Sequence, residues 1–270
     1  MNPAKSEKLI LIRGGGLGDF LLTIPILFEA CNRYQEVKLF TRACFHPLLQ
    51  VLKLEQLVLH DLDKEGKDLC VICKDRDIFT FWNDQEWVDE LGEAGAKKVI
   101  PLLPRPKSEP HFVEHLYHAL DWSFRDEVHN TPWLGDHWSS QSKTLWIHPG
   151  SGSSKKNASL SFFENRAINW LEKDTENRII FSFGESDQEC RENLLRSSIA
   201  EQKKVQFLSG LSLSAFKESL EKKAGRYLGN DSGPSHLAAM LGIPTEVLFI
   251  STNPEVWRPL GPRVKLLRVE

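Results

Sequence analysis

An apolar run, Lys8-Leu-Ile-Leu-Ile-Arg13, passes straight into Gly14-Gly-Gly-Leu-Gly18. The same succession of apolar strand, small-residue loop and helical stretch returns at Thr144–His148. A strand that is apolar throughout belongs inside a parallel sheet covered on both faces. After the first run the pattern predicts a helix over 19–33, with Pro25 forcing a kink or a late start. Strands are expected at 37–41, 56–59, 69–73 and 97–101, and helices at 46–53 and 111–122. After the second run, strands are expected at Thr144–His148, Arg178–Phe183, 205–208, 226–229 and 245–250, alternating with helices at 161–173, 187–198, 212–222 and 234–241. Two rounds of β/α alternation predict an α/β chain of two Rossmann-like, parallel-sheet domains facing each other across a cleft. The segment 126–143 mixes Pro, Gly, Asn and Trp without periodicity and reads as the connection, giving domains 1–136 and 137–270.

Bulk properties narrow the function. The 270 residues carry a formal net charge of −3 with no long basic run, so a general nucleic-acid grip has little electrostatic support. An anion would have to be bound by a local site. No stretch approaches the ~20 apolar residues that span a bilayer. The polar segment 1–8 leads into a first core strand rather than a signal peptide. Five cysteines without pattern fit reduced thiols in a cytoplasm. Cys70 and Cys73 form a C-x-x-C pair, but no second pair or matching histidines complete a zinc site, and they read as small packed side chains of a core strand.

Three loops at predicted strand ends can carry chemistry. In Gly14-Gly-Gly-Leu-Gly-Asp19, Gly15, Gly16 and Gly18 let the backbone approach a ligand, but Asp19 stands where a dinucleotide fingerprint needs its last glycine. Asp19 reads as a helix cap or as a general base. The loop His148-Pro-Gly-Ser-Gly-Ser-Ser-Lys-Lys156 offers small residues and hydroxyls beside ammonium groups, either a nest for a diphosphate or a solvated surface loop. In Gly229-Asn-Asp-Ser-Gly-Pro-Ser-His-Leu-Ala-Ala-Met-Leu-Gly242, Pro234 fits a helix start and Gly242 a helix stop. The N–H groups of Ser232, Gly233 and Ser235 can meet an anion there, and Asp231 can accept from sugar hydroxyls. The simpler reading makes Asp231 or Ser232 a cap and His236 a packed side chain.

Taken together and in this order, the three loops resemble glycosyltransferase family 9, which contains the ADP-heptose:lipopolysaccharide heptosyltransferases. Gly15-Gly-Leu-Gly-Asp19 with Pro25 matches the family's first loop, and His148-Pro-Gly-Ser151 with Lys156 its middle loop. Asn230-Asp-Ser-Gly-Pro-Ser-His-Leu-Ala-Ala-Met-Leu-Gly-Ile-Pro244, followed by Leu248-Phe249, Thr252, Pro254, Trp257, Pro259 and Gly261-Pro262, matches the last and most specific block. Three features depart from the family: Ala158-Ser159 replaces a Trp-Pro, Ile250-Ser251 replaces a Gly-Pro, and little chain follows the last Gly-Pro.

The resemblance implies a GT-B architecture and a metal-independent, inverting transfer of heptose or a related sugar from a nucleotide-diphosphate donor such as ADP-heptose to a lipopolysaccharide-type or other glycan acceptor. It implies no cofactor beyond that co-substrate. Asp19 would take the acceptor proton, and Lys156 with the Ser232 and Gly233 N–H groups would meet the leaving diphosphate. His148, Gly150, Ser151, Asp231 and His236 would complete the donor side, with Gly15, Gly16 and Gly18 on the acceptor side. A glycolipid acceptor would place the chain at the inner face of the cytoplasmic membrane, by peripheral contact. Two alternatives are a non-catalytic sugar-nucleotide-binding protein and a nicotinamide-dependent dehydrogenase. Against the latter stand Asp19 in the glycine loop and Thr41-Arg42 after the second strand. No metal site is expected: Asp61-Leu-Asp63 reads as a solvated pair, and His111, His115 and His118 as helix-surface or cleft-facing histidines.

Overall fold

The computed structural model describes residues 6–50, 52–135 and 141–268. The chain divides into two compact units, Met1–Arg125 and Asp126–Glu270. The boundary expected between 136 and 137 lies outside the described residues.

In the first unit, β1 (Ser6–Ile12), β2 (Tyr34–Thr41), β3 (Leu57–Asp61), β4 (Asp77–Thr80) and β5 (Lys98–Pro101) form one sheet in the order β3-β2-β1-β4-β5. Every pairing is parallel. Leu9, Ile10, Leu11 and Ile12 are at most 1% exposed, so β1 is buried on both faces, as its unbroken apolar run requires. The strand order reverses between β1 and β4. Ligands of parallel sheets bind at the carboxyl ends of the strands beside such a reversal.

The second unit holds β6 (Thr144–His148), β7 (Arg178–Phe183), β8 (Val205–Ser209), β9 (Arg226–Asn230), β10 (Thr245–Phe249) and β11 (Val264–Arg268). Their order is β11-β10-β9-β6-β7-β8, again all parallel. This is the doubly wound order of a dinucleotide-type fold, with its switch point between β6 and β9. The loops that leave these two strands are the Lys156 loop and the Asp231 loop.

Several local expectations are corrected. Residues 69–73 do not form a strand. Leu69 and Cys73 are fully buried whereas Val71 is 80% exposed. A strand would put all three on one face, but a helix puts only positions four apart together. The segment is the helix Leu69–Ile72, and the sheet position passes to β4, a four-residue strand too short to stand out by periodicity. The helix expected over 19–33 is two helices, Leu17–Leu21 and Ile24–Arg33. Pro25 sits in the first turn of the second, where its missing N–H leaves no bond unmade. Strand β11 and the helices Gln85–Glu93 and Pro254–Trp257 also lie outside the pattern read from the sequence.

Residues 126–135 pack with the second unit. The short helix Glu127–Asn130 is followed by Leu134, whose N–H donates to Met240 O at 3.0 Å, and His129 O accepts from Gly261 N at 2.8 Å.

Candidate functional site

Asn230 ends β9 fully buried and ties the two loops of the second unit's switch point together. Its Nδ2 donates to Pro149 O at 2.7 Å, and its Oδ1 accepts from Ala158 N at 3.0 Å. One side chain therefore pins both ends of the loop that carries Lys156. The next residue, Asp231, is 5% exposed. Its Oδ2 accepts from Lys156 Nζ at 2.7 Å and from Thr252 Oγ1 at 2.6 Å, while its Oδ1 lies 3.8 Å from His236 Nε2.

Burial pushes the Asp231 carboxyl upward, but His236, Lys156 and Thr252 outweigh it, and the net effect holds the group well below the usual carboxylate range. Asp231 is therefore an anion at neutral pH. Its simple cap reading is not the geometry observed, because its carboxylate is spent on side chains. Ser232 occupies the N-cap position of the helix Gly233–Met240 but makes no side-chain capping bond. Pro234 lies in the first turn, and Gly242 takes φ 78°, a conformation that favours glycine.

The loop after β6 rests on a buried polar chain. Trp146 Nε1 donates to Ser182 Oγ at 2.7 Å, and Ser182 Oγ lies 3.0 Å from His148 Nδ1. The hydroxyl hydrogen that Ser182 retains can go to Nδ1, which leaves the imidazole hydrogen on Nε2. Nε2 lies 3.3 Å from Asp187 Oδ2, which also accepts from Gly184 N at 2.7 Å. Burial raises the Asp187 carboxyl, yet the bonds from His148 and Gly184 leave it lowered overall. Gly150 lies directly on this carboxylate, since a Cβ there would stand 2.0 Å from Asp187 Oδ1. Ser151 Oγ bonds within the loop, to Asn157 Oδ1 at 2.6 Å and Ser153 O at 2.7 Å.

His148, Gly150 and Ser151 thus brace the loop through Asp187, Asn157 and Ser153, while Lys156 and His236 both approach the Asp231 carboxylate. A cavity of about 270 Å³ opens beside the loop, between Ser151–Ser154 and the residues Asp187 and Asn193. A larger concavity of about 790 Å³ lies at the opposite ends of the strands, around Arg226 and Lys265, and touches none of these loops. Position at the switch point, not volume, selects the site.

In the first unit, Asp19 belongs to the helix Leu17–Leu21, and its Oδ2 accepts from Gly16 N at 3.1 Å. Gly15 has φ 95°, and a Cβ on it would press against Asp19 Oδ2 at 2.8 Å. Oδ1 lies 3.4 Å from Arg13 Nη2, and the same guanidinium donates to Asp19 O. Burial pulls the Arg13 pKa down to about 10 against the opposing pull of Asp19. Even so, Arg13 keeps its charge at neutral pH, stacked 4.0 Å from the Phe81 ring centroid. Asp19 is held as an oriented carboxylate by one N–H and one cation.

Residues set aside in the sequence have local roles. Asp61 caps the helix Leu62–Glu65, with Asp63 exposed beside it. His111 is buried and caps the helix Phe112–Ala119 instead of lying on its surface. His115 bonds Ser108 O, and His118 pairs with Glu114. Burial pushes the Cys70 and Cys73 thiols upward. Among the described residues no cluster of three or more His, Cys, Asp or Glu is arranged to hold a metal ion, and no helix is long and apolar enough to cross a membrane.

Asn230, Thr252 and Asp187 were not singled out from the sequence as site residues. Asn230 and Thr252 sit within the Asn230–Pro262 block, which is the signal that could have found them. Asp187 has no local signal, since its partner lies 39 positions away.

Comparisons with known proteins bear on the family and the fold. The family model for glycosyltransferase family 9 (heptosyltransferase) matches residues 117–270. No curated protein matches the chain by sequence. Among solved structures, a family 9 glycosyl transferase from Veillonella parvula superposes with a TM-score of 0.76 at 14% identity, covering 99% of this chain and 88% of its own. E. coli heptosyltransferase WaaC with ADP gives 0.72 at 15% identity, covering 97% and 93%. E. coli ADP-heptose lps heptosyltransferase II gives 0.72 at 16% identity, covering 97% and 91%. At such identities the likeness speaks for the GT-B fold of two parallel-sheet domains. The family assignment rests on the matched sequence, which includes both loops of the second unit's switch point: the chain belongs to glycosyltransferase family 9.

Proposed function

We propose that the chain transfers heptose, or a related sugar, from a nucleotide-diphosphate donor to a lipopolysaccharide-type or other glycan acceptor, with inversion at the anomeric carbon. The observation that carries this reading is the convergence of Lys156, Asp231 and Thr252 beside an uncapped helix start at the β6/β9 switch point. The N–H groups of Ser232 and Gly233 at this helix start favour a diphosphate, with the Lys156 ammonium beside them, whereas the Ser235 N–H is taken by Ser232 O at 3.0 Å. The cavity beside Ser151–Ser154 is the place for the nucleoside end.

In this reading the acceptor oxygen bonds to the anomeric carbon as the bond from that carbon to the diphosphate oxygen breaks. The acceptor proton passes to Asp19, and the electron pair leaves with the diphosphate. Lys156 and the N–H groups of Ser232 and Gly233 stabilise that leaving charge without a metal ion. Asp231, already ionised and fixed, orients the donor sugar and holds the Lys156 ammonium in place. A glycolipid acceptor would be met at the inner face of the cytoplasmic membrane, by peripheral contact.

ADP, present in the WaaC structure, is the nucleotide to test first. A donor panel with purified protein, scored by release of free nucleoside diphosphate, tests the reading. Release from an ADP-linked heptose, lost in Asp19→Asn, is the expected result. Binding without turnover of any nucleotide sugar would leave only the sugar-nucleotide-binding alternative, and binding of NAD(P) alone would point to a dehydrogenase.

A further inference from the structure

Phe81 and Trp82 leave the end of β4 side by side and have opposite fates. Phe81 is 4% exposed and lies beneath the Arg13 guanidinium that pairs with Asp19. Trp82 is 41% exposed. A Cβ built on Gly14 would stand 3.9 Å from Trp82 Nε1, so the indole borders the glycine loop whose Gly16 N–H holds Asp19. This is the β1/β4 switch point of the first sheet.

The indole is held rather than loose. Trp87 meets the ring edge-on with centroids 5.6 Å apart, and the backbone N–H of Trp82 donates to Thr80 Oγ1 at 3.1 Å, which fixes the main chain that carries the indole. Trp87 packs in turn on the core that contains Ile10, Ile12 and Leu91. A single exposed aliphatic such as Val71 needs no explanation, but a braced aromatic ring in solvent at a sheet's ligand-binding edge does.

We infer that Trp82 is a platform for a sugar ring of the acceptor; the inference rests on the transferase reading above. A pyranose face rich in C–H groups carries a slight positive charge and complements the negative face of an indole, while its hydroxyls stay at the rim. The ring is the acceptor's because Trp82 borders the loop of Asp19, which takes the acceptor proton, whereas the donor loops belong to the second unit. The glycine at position 14 places no side chain between the loop and the indole edge.

The test is saturation-transfer NMR on the full chain with methyl glycosides of mannose and of heptose as probes. It compares wild type, Trp82→Ala, Trp82→Phe and, as a control, Val71→Ala. Wild type is expected to saturate the C–H groups of one ring face. Trp82→Ala loses about three- to tenfold in affinity, the size of one aromatic contact, while Trp82→Phe and Val71→Ala stay near wild type. In a transfer assay Trp82→Ala raises the acceptor KM and leaves ADP binding unchanged. Equal sugar binding in Trp82→Ala and wild type would overturn the platform. Sugar binding that depends on Trp82, in a protein that turns over no nucleotide sugar, would keep the platform and remove the transferase reading.

Discussion

Lys156 and Asp231 meet through a 2.7 Å hydrogen bond although 75 positions separate them in the chain. The bond joins the loop after β6 to the end of β9, and Asn230, beside Asp231, anchors both ends of the Lys156 loop. The ammonium is therefore aimed before any donor arrives. Such preorganisation is what makes a charge effective at a developing anion.

Lys156→Met keeps most of the side chain's length and removes its charge. Asp231 retains Thr252 and His236, so the fold is expected to survive. With donor saturating, kcat falls about 10²–10³-fold, the usual cost of one preorganised electrostatic partner. Steady-state kinetics with a melting curve decides it. A kcat close to wild type would remove Lys156 from the mechanism.

The depressed pKa of Asp231 makes a statement about stability. A carboxylate whose folded pKa lies below its unfolded value stabilises the native state fully above the unfolded pKa, about 3.9 for Asp. That contribution fades as pH falls through the range below it. Asp231→Asn removes the contribution. Urea melts of the two proteins are expected to differ above about pH 5 and to converge as the pH falls below about 4. A margin that does not change with pH would show that the carboxylate's ionisation is not what stabilises the loop.

Two glycines of one loop are predicted to differ. A Cβ on Gly150 would collide with Asp187, whereas one on Gly152 meets nothing within 4 Å. Gly150→Ala is expected to cost about 1–3 kcal/mol, because Asp187 must leave His148 to make room. Gly152→Ala stays within about 0.5 kcal/mol of wild type, as most exposed substitutions do. Equal denaturation midpoints for the two variants would contradict the packing described.

Asp19→Asn preserves an oxygen that can accept from Gly16 N but removes the base. Turnover is expected to fall about 10²–10⁴-fold, with the melting temperature reduced only modestly. Retained turnover would reassign Asp19 to the capping role alone.

The second unit was legible in five of its six strands, because each of β6 to β10 is a compact apolar run closed by a loop or helix signal, whereas β11 interleaves Lys265 and Arg268 with its apolar residues at the sheet's edge. Its loops could be placed at strand ends by counting the alternation, but the switch point between β6 and β9 needed the strand order of the folded sheet. The first unit was less legible around residues 69–80. There the run Leu69–Cys73 is apolar but helical, and the true strand Asp77–Thr80 is only four residues long. Among the site residues, Lys156 and Asp231 could be found from local chemistry and the family pattern. The His148–Asp187 pair could not, since nothing in a linear reading reveals which buried carboxylate will face a histidine on a neighbouring strand. Thr252 lay inside a recognised block, but its bond to Asp231 depends on the return of β10 beside β9.

The central claim is that the second unit's switch point holds the donor diphosphate. A crystal structure of the full chain with ADP tests it most directly. The prediction is a diphosphate beside Lys156 Nζ and the N–H groups of Ser232 and Gly233, with the nucleoside in the cavity along Ser151–Ser154. A diphosphate seated instead on the Gly14–Gly18 loop would contradict the account.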